Sequence, residues 1–236
     1  MFEPDSLTDL QNVRILLHCC CAPCSTAILE WMVGAGLRPG VFFSNSNIFP
    51  FEEYEHRKSE LIRYATFWGL EVVEDEYDHG AWRSAVQGLE REPERGPRCR
   101  ECFKFRLLRA ARYAAAHDYT VLTTTLASSR WKSLAQVDAA GRYACSVVNA
   151  EILRSHPAAA GAAAVSRPEA DKRAPSSRSD AFLPVREVTW WGKNWRKGGL
   201  QDRRNCLIRE HDIYNQDYCG CEFSLRPDKQ GANPAL

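Results

Sequence analysis

The chain has 236 residues and a formal net charge of +1. That length suffices for one well-buried core, and the near-neutral charge excludes wholesale electrostatic attachment to nucleic acid while leaving room for a local basic face. No apolar run approaches the roughly 20 residues that a membrane crossing needs, and residues 1–12 lack the basic start and apolar core of a secretory signal, so the expectation is a cytoplasmic protein without a membrane partner.

In chain order, Val13 to Leu17 reads as a buried strand and Cys24 to Val33 as the helix after it. Gly40 to Ser44 is a second strand. Glu52 to Trp68 is a helix with Tyr54, Leu61, Ile62, Ala65 and Trp68 on one face. Glu71 to Tyr77 forms a third strand, followed by a short helix near Trp82 to Leu89. A loop over Arg91 to Arg98 enters a strong helix striped by Phe103, Leu107, Ala110, Ala111 and Ala114, and Thr120 to Leu126 is the next strand. Arg154 to Asp180 is rich in Ala, Pro, Ser and Arg and breaks the rhythm, as a disordered surface insertion does. Beyond it, Phe182 to Thr189 reads as a strand, Gln201 to Ile213 as a basic helix and Tyr218 to Ser224 as a tail. Alternating strands and helices predict one α/β domain over residues 1–236, with a mostly parallel sheet flanked by helices and the insertion at 154–180.

The chemistry lies in the cysteines, ten in all. Three groups stand far apart: His18-Cys19-Cys20-Cys21-Ala22-Pro23-Cys24, Cys99-x-x-Cys102, and Cys219-Gly220-Cys221. Under reducing conditions such groups serve metals or redox chemistry more often than structural disulfides. In an open α/β sheet, ligands collect at the carboxyl ends of strands, where Cys20, Cys21 and Cys24 fall. Cys99 and Cys102 open a helix whose dipole, together with Arg98 and Arg100, favours thiolate. Two loops can therefore present four sulfurs to one iron–sulfur centre or to zinc. Cys21-Ala22-Pro23-Cys24 taken alone also fits a thioredoxin-like redox turn, although that chemistry needs neither of the other groups. Cys219 and Cys221 form either a small strained disulfide that Gly220 permits, or further metal ligands. Cys145 and Cys206, standing alone, are expected to be structural, and Cys19 to point away from Cys20.

In these motifs the chain resembles the cobalamin-independent epoxyqueuosine reductases of tRNA queuosine synthesis. The match runs from Leu16-Leu17-His18-Cys19-Cys20-Cys21-Ala22-Pro23-Cys24-Ser25 through Asn47-Ile48-Phe49-Pro50, Glu53-Tyr54 and Arg57. It continues through Glu92 to Cys99, Cys102, Arg106-Leu107, Thr123-Thr124-Thr125-Leu126, Gly192, Asn194-Trp195-Arg196-Lys197 and Tyr218-Cys219-Gly220-Cys221. It departs at Ser46, where the family has Pro, at Arg130 after the Thr run, and at Asn215, where the family has Arg. The resemblance implies a nucleotide-hydrolase-like (Rossmann-like) sandwich in which the cysteine turn replaces a phosphate loop. It implies a [4Fe–4S] cluster on Cys20, Cys21, Cys99 and Cys102, a second mononuclear metal ion (iron) beside it, and a catalytic, redox-active disulfide between Cys219 and Cys221.

The reaction so implied removes the epoxide oxygen of epoxyqueuosine with two electrons and two protons. Its partners are tRNA, contacted at the anticodon loop, and an unidentified electron donor. The expected RNA contacts are Trp190, Trp191, Lys193, Trp195, Arg196, Lys197, Arg203 and Arg204, with a packed core as the alternative place for the tryptophans. Tyr218 and Asp217 are candidates for proton delivery, with plain surface hydrogen bonding as their alternative, and His18 is expected beside the cluster or in the core. The competing function is a zinc-stapled RNA-binding module without catalysis, and a general thiol–disulfide oxidoreductase stands third.

Overall fold

Parallel strands hide both faces only when helices cover both sides, and the central strand here is buried along its whole length. That strand is β1, Ile15–Cys19. The computed structural model describes residues 7–155 and 187–225. β1 pairs in parallel with β2 (Gly40–Phe43), in the register Leu16 to Gly40, and with β4 (Val121–Thr124), in the register Ile15 to Val121. β3 (Val72–Glu74) extends the sheet beyond β2, and β5 (Thr189–Trp190) extends it beyond β4, giving the order β3-β2-β1-β4-β5.

A short α1 (Leu7–Gln11) precedes the sheet. On one side α2 (Ala22–Gly34) packs against α3 (Phe51–Phe67) and α7 (Leu200–Glu210). On the other, α5 (Pro97–Ala116) packs against α6 (Leu134–Ser155) and the short α4 (His79–Ala85). The α5 stripe is buried as its periodicity predicts, at Phe103, Leu107, Ala110, Ala111 and Ala114. In α3, Tyr54, Leu61 and Ala65 are buried, but Ile62 faces solvent and Arg57 takes an inward position. The short α1 and the long α6 are absent from the sequence reading, and α6 is the one that matters for packing. Its buried positions Val137, Ala140, Gly141, Ala144, Cys145 and Val148 are helically spaced, but small residues dominate them and weaken the hydrophobic contrast. Gly141 is required by close packing, since a Cβ there would lie 2.3 Å from the Trp190 ring. The expected insertion lies outside the described residues apart from Arg154 and Ser155, which end α6. Of the expected strand at 182–189, only the end near β5 is described.

Strand order reverses between β1 and β4, which opens a crevice at their carboxyl ends. A helix that links two parallel strands must start at that same edge. The turn after β1, the start of α5 and the turn Thr125–Ser128 after β4 are therefore on one side of the sheet. Among the described residues no helix is long and apolar enough to cross a membrane.

A cysteine-lined candidate active site

Strand β1 ends at Cys19 and α2 begins at Ala22, so Cys20 and Cys21 occupy the turn between them, with Pro23 in the first helical turn. Side chains in a first turn lean back toward the preceding loop, which brings Cys24 to the same place. The sulfurs of Cys20, Cys21 and Cys24 lie within 4.8 Å of one another, and all three are buried. Among the described residues this is the one set of three or more metal-binding side chains gathered so closely. Cys20 and Cys21 sulfurs are 3.8 Å apart. Contacts with Cys21 and Cys24 pull the Cys20 thiol down against the cost of burial, helped by Lys132 and Arg106. The same contacts push Cys21 and Cys24 up. Of the three thiols, Cys20 is the one whose surroundings favour the thiolate.

Neighbouring elements fix this turn. Across the crevice the Cys20 amide donates to Thr125 Oγ1 at 3.0 Å. Ser25 Oγ donates to Cys21 O at 2.7 Å and Ser128 Oγ to Cys24 O at 3.1 Å. Gln216 Nε2 donates to Cys21 Sγ at 2.9 Å. Cys19 turns into the core, fully buried, and burial pushes its thiol up. Cys145 is likewise a core residue.

Cys99 and Cys102 stand in the first turns of α5 and are outside the sulfur triad. Burial works against the thiolate form that their position at the helix start favours. Burial pushes Cys99 up to about 11 and also raises Cys102. Arg98 turns away to the carbonyls of Glu90 and Glu92, and Arg100 pairs with Glu101. Arg95 N donates to Cys99 Sγ at 3.2 Å. Cys102 packs with Trp82, Val86 and Cys221, which joins the second cysteine group to the tail.

The tail is docked on the loop after β2. Ile48 bridges Cys221, and Phe49 N donates to Gly220 O at 2.8 Å. Arg57, only 2% exposed, donates to Cys219 O at 3.2 Å and Tyr218 O at 3.4 Å while pairing with Glu53. Gly220 has φ +99°, and a Cβ there would meet Arg57 Nη1 at 2.9 Å and Ile48 Cγ1 at 3.0 Å. Cys219 and Cys221 are free thiols, and burial pushes Cys221 up to about 12. Tyr218 donates to Phe49 O at 2.5 Å under the Arg57 guanidinium, and burial raises its hydroxyl. These contacts make it a docking residue.

Two cations face the thiols without a carboxylate within ion-pair distance among the described residues. Arg106, 2% exposed, donates from Nε to Ser44 O at 3.2 Å and from Nη2 to Asn45 Oδ1. It feeds positive charge to Cys20 and Cys102. Lys132 is half-buried; burial works against its charge, but the influence of Cys219, Cys20, Cys24 and Cys21 outweighs it and raises its pKa. Below them Asn45 Nδ2 donates to Cys19 O at 2.9 Å. His18 Nε2 lies 3.0 Å from Ser44 O, so that nitrogen carries the proton, and Nδ1 accepts from Thr124 Oγ1 at 2.7 Å. Burial, then Arg106, lowers His18 to about 3, so it is neutral and ties β1 to β2 and β4.

Three of the expected RNA contacts are corrected. Trp190, Trp191 and Trp195 are core residues. Trp190 Nε1 donates to Asp138 at 2.7 Å, and Trp191 and Trp195 pack around Trp31. Lys193 lies over these rings, Arg203 pairs with Glu30 and Glu210, and Arg204 donates to Pro23 O at 2.9 Å. Arg196 holds the carbonyls of Ser129 and Lys132, and Lys197 remains exposed. Sequence reasoning left Cys24 out of the ligand set, although its spacing from Cys21 marks it. No local signal singles out Lys132 or Gln216.

The family model described as epoxyqueuosine reductase QueH matches residues 15–160 and 164–227. An epoxyqueuosine reductase QueH of Histophilus somni is 34% identical over 90% of this chain and 72% of its own length. One from Haemophilus influenzae is 34% identical over 95% of the chain and 76% of its own length. A third, from Acinetobacter baylyi, is 33% identical over 90% and 81% respectively. The chain belongs to the epoxyqueuosine reductase QueH family.

Proposed function

We propose that this protein reduces epoxyqueuosine to queuosine in tRNA, at the anticodon loop, within a single α/β domain, and that its cysteines carry the chemistry. The observation that supports this most is the buried sulfur triad at the strand-order reversal of a family member. The ligand reading is a [4Fe–4S] cluster on Cys20, Cys21, Cys99 and Cys102, with Cys24 available to a second metal ion such as iron.

The donor set fits such a group. It is all sulfur, which suits iron–sulfur centres and zinc rather than hard cations. Arg106 and Lys132, lacking carboxylates, are the counter-charge that a cluster of thiolates requires. When bound, the cluster supplies electrons one at a time at a potential set by its surroundings.

Removing the epoxide oxygen converts the ring to an alkene and releases water, which consumes two electrons and two protons. Closing a disulfide from the thiols of Cys219 and Cys221 releases both in the same number, so the dithiol balances the reaction. Gly220 gives the adjacent thiols the backbone they need, and Arg57 holds that backbone through its carbonyls. An external electron donor then reopens the disulfide. Lys132, half-buried beside Cys219, presents positive charge where the leaving oxygen gains negative charge.

Anaerobic metal analysis tests the reading. Iron with acid-labile sulfide is expected, together with a broad visible absorption that Cys99→Ala abolishes. Zinc alone would overturn the cofactor assignment, and an intact cluster in Cys99→Ala would remove that ligand.

A further inference from the structure

With the tryptophans before the tail buried, a ring that meets RNA is one of the exposed aromatics elsewhere. Trp131 is 66% exposed, the most exposed large hydrophobic side chain among the described residues. It follows the turn Thr125–Ser128 at the carboxyl end of β4, on the same edge as the cysteine turn. Its backbone is not loose. Arg95 donates to Trp131 O at 2.8 Å and to Arg130 O at 3.1 Å, and Arg196 donates to Ser129 O at 2.6 Å and Lys132 O at 2.7 Å. The Arg95 amide also holds Cys99 Sγ, so one residue ties this loop to a candidate ligand.

The ring is already half of a sandwich. The Arg130 guanidinium sits 5.2 Å from its centroid and covers one face. From Ser129 to Gln136 the sequence carries no acidic residue, so nothing beside Arg130 in this stretch repels a phosphate. An exposed aromatic on an anchored backbone, backed on one face by a guanidinium, is the means by which proteins stack splayed bases of single-stranded loops.

We propose that Trp131 is the stacking platform for a nucleobase of the substrate RNA next to the modified nucleotide, with Arg130 backing the ring; this rests on the tRNA reading above. It positions the substrate and takes no part in the chemistry.

The test uses the full, metal-loaded chain, tRNA bearing epoxyqueuosine, and dithionite as reductant. Trp131→Ala is expected to raise KM and the Kd for that tRNA by about tenfold with kcat within about twofold, and Trp131→Phe to recover most of the loss. Phe67→Ala is the control: equally exposed at 63%, Phe67 ends α3 at the opposite edge of the sheet, and no change is expected. Trp131→Ala binding this tRNA as tightly as the wild type overturns the platform. So does a defect seen only when a reduced carrier protein replaces dithionite, which would make the ring a protein contact. A wild type that binds the tRNA but never turns it over sinks the reductase reading alone, and tRNA affinity still decides the platform.

Discussion

Thr125 holds Cys20 twice: its Oγ1 accepts the Cys20 amide at 3.0 Å and donates to the Cys20 sulfur at 3.4 Å. One hydroxyl just past the end of β4 thereby fixes both the backbone and the sulfur of the turn after β1. The contact spans the crevice at the strand-order reversal and ties the cysteine turn to the turn after β4.

Thr125→Val keeps the shape and removes the hydroxyl, leaving a buried amide unpaired. Such a loss costs about 1–3 kcal/mol, so the denaturant midpoint of the metal-free protein should fall while Thr125→Ser stays near wild type. A Val variant as stable as the wild type would mean that the turn holds itself.

Cys24→Ser should lower the bound metal content, whereas Cys145→Ser, in the core on α6, should leave it unchanged. Elemental analysis of both proteins prepared without oxygen reads the difference. Equal metal content in the two variants would take Cys24 out of the ligand set.

Gly220→Ala forces a side chain onto a backbone at φ +99° and against Arg57 and Ile48. Strain of this kind costs about 1–3 kcal/mol, enough to loosen the tail from its dock. Turnover should fall sharply with the visible absorption of the cluster retained. Cys219→Ser should give the same pair of readouts, and sustained multiple turnover by that variant would exclude the dithiol from the reaction.

Lys132→Met removes a cation that faces Cys219, Cys20, Cys24 and Cys21. The midpoint potential of the reconstituted protein should move to more negative values, because reduction adds negative charge where a positive one has been lost. Lys132→Arg should restore most of it. An unchanged potential in Lys132→Met would show the ammonium to be too distant to matter.

The alternation of strands and helices was legible because β1, β2 and β4 are short apolar runs and the α5 stripe is strictly helical. The three cysteine groups announced themselves by spacing. What escaped was tertiary. Trp190 is buried by Gly141 and Asp138 of α6, a helix whose own stripe is too rich in small residues to stand out. Trp191 and Trp195 are buried by Trp31, more than 150 positions away in sequence. The positive charge at Arg98 and Arg100 favours thiolates at Cys99 and Cys102, while burial, which no local stretch of sequence shows, works the other way. Arg57 stands in the sequence only as one residue of the family match, and its place under the tail's carbonyls is a tertiary fact.

The most direct measurement is mass analysis of nucleosides from epoxyqueuosine-bearing tRNA incubated, without oxygen, with the reconstituted protein and a chemical reductant. Epoxyqueuosine is expected to be replaced by queuosine with the wild type and to persist with Cys219→Ser. Epoxyqueuosine left untouched by an iron- and sulfide-replete wild type would contradict that expectation.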